Sequence, residues 1–159
     1  MHKDVVVTTS DRNGLQMLSG QECLTMLAER NFGRIGLSIN ALPAILPVNY
    51  RLVDGVIVIL SANGTKLNAA TNHSVVAFEV DEFSDQEEFG WSVLAIGVAF
   101  ALEEEPELLA KMSQPMPVWI DVDRATLIGI RPDIISGRRI SGPRHELTFE
   151  PANRRLSTR

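Results

Sequence analysis

The feature that most constrains this chain is a series of short apolar runs between residues 34 and 102. They are rich in Val, Ile and Phe and are separated by turn residues, a pattern typical of β-strands. The runs are Arg34–Ile39, Ile45–Val53, Val56–Ser61, Val75–Asp81 and Trp91–Leu102. Asp54 and Gly55 between the second and third runs favour a type I′ turn, which predicts antiparallel pairing. A further strand is expected at Ala125–Ile130.

Signals for helices are few. Ser19-Gly-Gln-Glu22 matches a capping box and predicts a helix that we expect to end at Asn31–Gly33. A second short helix is expected at Pro106–Met112. A parallel α/β sheet needs a helix after nearly every strand, so a Rossmann arrangement is excluded, as it is by the lack of GxGxxG. We therefore expect a mainly β (α+β) fold, an antiparallel barrel or sandwich with short helices at its mouth.

Length and charge limit the classes of function. The 159 residues suit one domain, and the net charge of −5 disfavours nucleic acid as a partner. No apolar run is long enough to span a membrane, and residues 1–14 are too polar for a signal peptide. Cys23 is the single cysteine and the histidines are dispersed, so we expect no disulfide and no metal. The expected organisation is an arm at 1–18, a cytoplasmic domain at 19–140 and a polar tail at 141–159.

The loop after the third run carries a candidate phosphate site, formed by Asn63, Gly64, Thr65 and Lys66. Gly64 lets the backbone approach a ligand, and Thr65 and Lys66 open a possible helix. A helix N-terminus offers free N–H groups and partial positive charge to an anion, with Lys66 as an added donor. The alternative interpretation is an exposed helix cap with a solvated lysine.

Pro47-Val48-Asn49-Tyr50 interrupts an otherwise apolar strand. Because proline cannot donate to a ladder, part of this strand edge is expected to be unpaired. Its free backbone groups can then meet the heteroatoms of a planar ring. The alternative is a bent edge strand with no ligand.

Three further positions each allow two interpretations. Trp91 and Ser92 begin a strand and can cover and hydrogen-bond a flat ligand, although such a tryptophan also suits a core. Arg138 and Arg139 can bind a phosphate or carboxylate, or be exposed charges. Glu79 lies inside a strand, opposite its apolar face, and can face solvent or pair with an arginine. No nucleophilic triad is indicated.

Six short motifs follow one another in a specific order. They are Gly33–Ser38, Pro47–Tyr50, Gly64–Leu67, Val76–Asp81, Gly90–Val93 with Gly97, and Ile135–Ile140. Together they resemble the pyridoxamine 5′-phosphate oxidase-like, flavin-nucleotide-binding family, and the resemblance covers Ser19 to Ile140. It implies an FMN-binding split β-barrel of antiparallel Greek-key type and a homodimer with its cofactors at the subunit interface.

The resemblance also implies roles for particular residues. The Pro47–Tyr50 segment would lie along the isoalloxazine ring, with the backbone of Val48 and Asn49 at its polar edge. Ser61 and the loop Asn63–Lys66 would hold the ribityl phosphate, with Thr65 and Lys66 as the principal donors. Trp91 and Ser92 would approach the same cofactor, from this chain or from its partner, and Arg138 and Arg139 would add cationic contacts.

The implied activity is that of an FMN-dependent oxidoreductase that passes electrons from a reduced nicotinamide to a small organic acceptor. The chain is shorter than the authentic pyridoxamine phosphate oxidase and lacks its arginine-rich carboxyl-terminal motif, so that reaction is not expected. Two alternatives remain open: a flavin-binding or storage module without turnover, and the same fold using FAD or a deazaflavin.

Overall fold

The computed structural model describes residues 15–62, 73–86, 89–112, 115–116, 125–141, 147–149 and 156–158. The predicted loop residues Asn63–Lys66 therefore lie outside the described residues. The strands are β1 Gln16–Leu18, β2 Phe32–Ile39, β3 Leu42–Val53, β4 Val56–Ala62, β5 Val75–Ser84, β6 Phe89–Ala101, β7 Ala125–Ser141, β8 Leu147–Phe149 and β9 Leu156–Thr158. The helices are α1 Gly20–Ala28 and α2 Pro106–Ala110, with a 3₁₀ turn at Leu102–Glu104.

Strands β2 to β7 form a closed antiparallel barrel in the spatial order β7-β4-β3-β2-β5-β6, with β6 pairing back to β7. Strands β2, β3 and β4 are consecutive hairpins, and β5 returns to lie beside β2, which is a Greek-key arrangement. Two strands pair with the edge of β7 that faces away from β6: β4 pairs with the first residues of β7, and β1 pairs with residues near its end. The mainly β, antiparallel Greek-key prediction is confirmed.

Two tight turns set the register of the first hairpins. Asp54 and Gly55 have φ angles of 49° and 77°, the two positive values that a type I′ turn requires, as predicted. A similar turn joins β2 to β3 at Asn40 and Ala41, with φ angles of 51° and 63°. Asparagine tolerates this region well, whereas an alanine there is uncommon.

The capping box of α1 is present as predicted. The Ser19 hydroxyl accepts a hydrogen bond from the Glu22 N–H, and the Glu22 carboxylate accepts one from the Ser19 N–H. Cys23 and Leu27 are the fully buried residues of this helix and attach it to the barrel core. The helix ends earlier than predicted, at Ala28, and the residues Phe32 and Gly33 already belong to β2.

The core fills the barrel interior with side chains from alternating strand positions. Its largest fully buried members include Tyr50, Phe78, Ile35 and Ile59. A second cluster lies on the other face of β4, where Val56 and Val58 pack under Leu108 of α2 with Phe100 and Leu102.

Both ends of the chain contain strands that the sequence did not indicate. Gln16–Leu18, inside the predicted arm, pairs with Gly137–Arg139 of β7. Within the predicted tail, β8 and β9 pair to form a separate two-stranded sheet. Among the helices of the described residues, none is long and apolar enough to cross a membrane.

Candidate functional site

The barrel is split between β3 and β4. The two strands pair from the hairpin turn only as far as Tyr50 and Ile59. Beyond that point, residues 42–49 of β3 pair with β2 alone, and residues 60–62 of β4 pair with β7 alone. Within the described part of the chain, two strand edges therefore face each other across an opening without a ladder between them.

The predicted ring-binding segment and Ser61, the described residue of the predicted phosphate site, lie on the two lips of this split. Pro47, Val48 and Asn49 form the β3 lip, where Pro47 is exposed and Val48 is buried. Ser61 lies on the β4 lip and is 3% exposed. The chain leads from this lip directly into the predicted phosphate loop. Along the β3 lip, the feature that faces the opening is a backbone edge without a ladder partner among the described residues.

Tyr50, predicted with this segment, has a structural side chain. Its hydroxyl donates a 2.7 Å hydrogen bond to the carbonyl oxygen of Leu27, and its ring packs edge-on against Phe78 with centroids 4.8 Å apart. Burial raises the pKa of the hydroxyl, so it remains protonated and able to donate. The Tyr50 side chain fastens α1 to the barrel, and only its backbone lies where the split begins.

A groove of about 290 Å³ crosses the outer face of β5, β6 and β7. It is lined by Glu79, Ser92, Leu94, Ser136, Gly137 and Arg138. Register explains why these residues meet: Leu94 is paired with both Glu79 and Ser136, and Ser92 with Arg138. Two of the predicted site residues, Ser92 and Arg138, are therefore direct cross-strand neighbours in one groove.

A cluster of charged residues adjoins the groove. The Arg34 guanidinium on β2 lies 2.5 Å from a carboxylate oxygen of Asp81 and 3.5 Å from one of Glu79. Of the two alternatives that the sequence left open for Glu79, facing solvent or pairing with an arginine, the structure shows the pairing across the sheet. Burial, and then the neighbouring Asp81 carboxylate, raise the pKa of Glu79 despite Arg34.

Trp91 and Arg139 project to the other side of the sheet. Trp91 is 4% exposed, belongs to the core and donates a 3.2 Å hydrogen bond from its indole N–H to Glu82. Arg30 stacks over the Trp91 ring and forms an ion pair with the same Glu82. The hydrogen bond and positive charge of Arg30, and then the hydrogen bond from Trp91, lower the pKa of Glu82. Trp91 thus has the core position that the sequence left open as an alternative.

Arg139 is half-buried, and its Nε has no hydrogen-bond partner among the described residues. It is paired in register with Trp91 and with Gln16 of β1. The two consecutive arginines therefore lie on opposite faces of β7, with Arg138 at the groove and Arg139 on the core side.

A single chain does not bring the split and the groove together. Asn49 on β3 and Ser92 on β6 are separated by β2 and β5, a distance along the sheet of about 14 Å. The groove residues Leu94 and Ser136, and Arg34 beside the groove, were not predicted as site residues. The only sequence signal for them is strand alternation, which gives the face of a residue but not its cross-strand neighbour.

The family assignment follows from comparison with known proteins. A family model described as pyridoxamine 5′-phosphate oxidase matches residues 19–139. The chain belongs to this family. A relative within it, the uncharacterised protein Rv0080 of Mycobacterium tuberculosis, is 33% identical over 128 residues, which cover 77% of this chain and 84% of that protein.

Solved structures share the fold of this family member. The FAD-binding protein from Mycobacterium smegmatis is 29% identical with a TM-score of 0.70, covering 80% of this chain and 100% of that one. A candidate pyridoxamine 5′-phosphate oxidase from Corynebacterium glutamicum is 27% identical with a TM-score of 0.68, covering 85% and 100%. The predicted family and split-barrel fold are both confirmed.

Proposed function

We propose that this protein binds a flavin nucleotide at the β3–β4 split and uses it as an oxidoreductase. The observation that carries the proposal is the loss of pairing beyond Tyr50 and Ile59, which leaves a backbone edge at the Pro47–Asn49 lip. A flat heterocycle with carbonyl and ring-nitrogen groups suits such an edge, since apolar strands can contact its faces. The likeness to the FAD-binding protein of Mycobacterium smegmatis supports the same ligand class.

The nucleotide's phosphate is assigned to the loop that continues from the β4 lip. Ser61 is buried at the start of this loop, and Thr65 and Lys66 follow within it. A phosphate monoester carries close to two negative charges, which a protein with net charge −5 must offset locally. Lys66 and the hydroxyls of Ser61 and Thr65 supply that compensation in the proposal.

We assign the groove to the same flavin, contributed by the second subunit of a homodimer. The outer face beside the groove exposes Ile45 (73%), Val75 (68%) and Ile134 (48%), an apolar surface that a monomer rarely leaves open. Ile45 and Ile134 lie on one rung that runs across five strands through Gly36, Ala77 and Ile96. This surface is continuous with the groove. Pairing two copies through it would therefore cover the apolar rung and bring the groove of one subunit towards the β3–β4 split of the other.

In this arrangement the flavin supplies the electron transfer, and the protein binds and orients it. The β3 lip would position the ring through backbone contacts, while Ser92 and Arg138 would contact it from the groove. Covering the outer face would exclude water from the site, which strengthens each electrostatic contact there. FMN is the proposed cofactor, with FAD or a deazaflavin as alternatives, since a barrel mouth would fix the plane of the ring more closely than the tail.

The first test is spectroscopic. The purified protein is expected to be yellow, or to become so on adding FMN or FAD, with mass spectrometry identifying the released cofactor. Anaerobic addition of reduced nicotinamide should bleach the flavin of an oxidoreductase and leave that of a storage module unchanged. A protein that remains colourless after both flavins are added would contradict the proposal.

A paired substitution tests the phosphate assignment. Lys66→Ala is expected to weaken FMN binding by about 1.5–3 kcal/mol, roughly tenfold to hundredfold, through loss of a charge-assisted contact. Lys111→Ala is the control, because Lys111 pairs with Asp54 at the β3–β4 turn, at the opposite end of β4 from Ser61. Equal FMN affinities for the two variants would contradict the phosphate assignment and favour the alternative, in which Lys66 is a solvated residue of a helix cap.

A second pair tests the homodimer. Ile45→Asp places a charge on the apolar outer face and is expected to convert the dimer to a monomer with weakened flavin binding. Leu109→Asp changes an exposed leucine on α2, outside the apolar outer face, and should leave the dimer intact. Sedimentation analysis of both variants gives the oligomeric state, and a wild-type monomer would refute this assignment.

A further inference from the structure

Glu79 is the acidic member of the groove lining, and its surroundings are unusual for a surface carboxylate. It stands on β5 directly opposite Arg34 of β2 and Leu94 of β6. Its side chain is 33% exposed. An apolar neighbour on one side and partial burial leave this carboxylate with less water than an ordinary surface glutamate.

Arg34 does not fully compensate for that loss. Its guanidinium contacts Asp81 at 2.5 Å and reaches Glu79 only at 3.5 Å, the long limit of a hydrogen bond. Two carboxylates on the same face of β5, two residues apart, thus share one cation. Their mutual repulsion favours the neutral form of the one with the weaker contact.

The other neighbours of Glu79 supply little further compensation. On β6 the groove presents Ser92 and Leu94, which carry no charge. On β7 it presents Ser136 and Arg138, and Arg138 lies one rung further along and two strands away from Glu79. Arg138 is exposed and forms no ion pair with any described residue. The groove therefore has the Arg138 guanidinium, which can only donate hydrogen bonds, at one end and Glu79 at the other.

We propose that Glu79 contacts the ligand of this groove as a neutral carboxylic acid, donating a hydrogen bond to it. This inference rests on the proposed flavin site and adds the role of one residue within it. With Arg138 and neutral Glu79 both donating, the groove selects a ligand edge that presents acceptors, such as carbonyl oxygens or unprotonated ring nitrogens. Glu79 is thus a specificity-determining residue that is not among the predicted site residues.

The sign of the pH dependence follows from this role. A ligand that binds only the neutral acid takes up a proton on binding wherever Glu79 is ionised in the unliganded protein. The affinity for that ligand therefore falls as the pH rises. One linked proton limits the change to about tenfold per pH unit. A ligand that instead donates to an ionised Glu79 would show the opposite slope.

The experiment compares FMN and FAD affinities of the wild type and Glu79→Gln across about pH 5.5 to 8 by fluorescence quenching of the flavin. Glutamine keeps a donor of similar shape but cannot ionise. The ratio of wild-type to variant Kd is expected to rise with pH across this range, by no more than about tenfold per pH unit. Taking the ratio cancels titration of the FMN phosphate, whose second pKa is near 6. Glu103→Gln, an exposed change in the 3₁₀ turn, should show a ratio that does not vary with pH.

A second measurement needs no variant. Calorimetric titration of the wild type with FMN, in two buffers of different ionisation enthalpy, should show uptake of a proton near neutral pH. A Glu79→Gln ratio that is constant with pH, or that rises towards acid, would overturn the inference while leaving flavin binding intact. Failure of every form to bind either flavin would instead overturn the proposed function and this inference with it.

Discussion

Removing the hydroxyl of Tyr50 tests whether this residue holds the fold or the ligand. In Tyr50→Phe the Leu27 carbonyl loses its 2.7 Å hydrogen bond inside the core. Leu27 lies in the last turn of α1, where carbonyl groups have no partner within the helix. Leaving this buried acceptor unsatisfied is expected to lower the free energy of unfolding by about 1–3 kcal/mol. For a chain of this length that corresponds to about 2–4 °C in Tm per kcal/mol.

Urea denaturation followed by tryptophan fluorescence measures this loss. The midpoint should fall while the m-value stays constant, because the surface exposed on unfolding does not change. Flavin affinity should stay within about twofold of the wild type. Thr25→Ala removes an exposed hydroxyl bond in the same helix and is expected to change stability by no more than about 0.5 kcal/mol. Unaltered stability with a large loss of flavin affinity in Tyr50→Phe would refute the structural role and make the hydroxyl a ligand contact.

Two further substitutions test the barrel and its helix. Gly97→Ala would place a Cβ 2.0 Å from the carbonyl oxygen of Arg131, a backbone atom that cannot move aside, so we expect a loss of about 3 kcal/mol or more in thermal or urea unfolding. Ser19→Ala removes the N-cap of α1 and should destabilise the protein by about 1 kcal/mol at neutral pH. The backbone N–H of Ser19, and then its side chain, lower the pKa of Glu22 below 4.5, so the stability that comes from these contacts to the carboxylate should be lost as the pH falls below that value. The Ala variant keeps the backbone contact and should retain most of this acid dependence, whereas a Glu22→Gln variant with the wild type's full acid dependence would contradict this account of Glu22.

The strands and their turns were largely predictable from the sequence, because burial on one side of a sheet forces a repeat of two residues. β5 shows this directly: Val76, Phe78 and Val80 are buried, while Glu79 and Asp81 face outward. The same repeat, with Asp54-Gly55, gave the β3–β4 hairpin. Local signals were sufficient here because each strand's pattern and the turn beside it agree.

The length of β7 could not be read from the same signals. Pro132 lies in its middle and is a residue that ordinarily ends a central strand. It is accommodated because it is paired with Gly97, at the point where the β6–β7 register shifts by a bulge. The exception depends on two residues distant in sequence, so neither alone indicates that the strand continues to Ser141.

The candidate site shows the same division between local and long-range information. Pro47 indicated an unpaired edge on β3, but the split is defined by where β3 stops pairing with β4, which tertiary structure decides. The groove depends still more on register, since Glu79 and Arg138 meet there only because β6 pairs with both of their strands. A one-residue slip in either ladder would turn Glu79 or Arg138 towards the core. If the groove binds the proposed ligand, its specificity therefore depends on strand register as much as on the residues that line it.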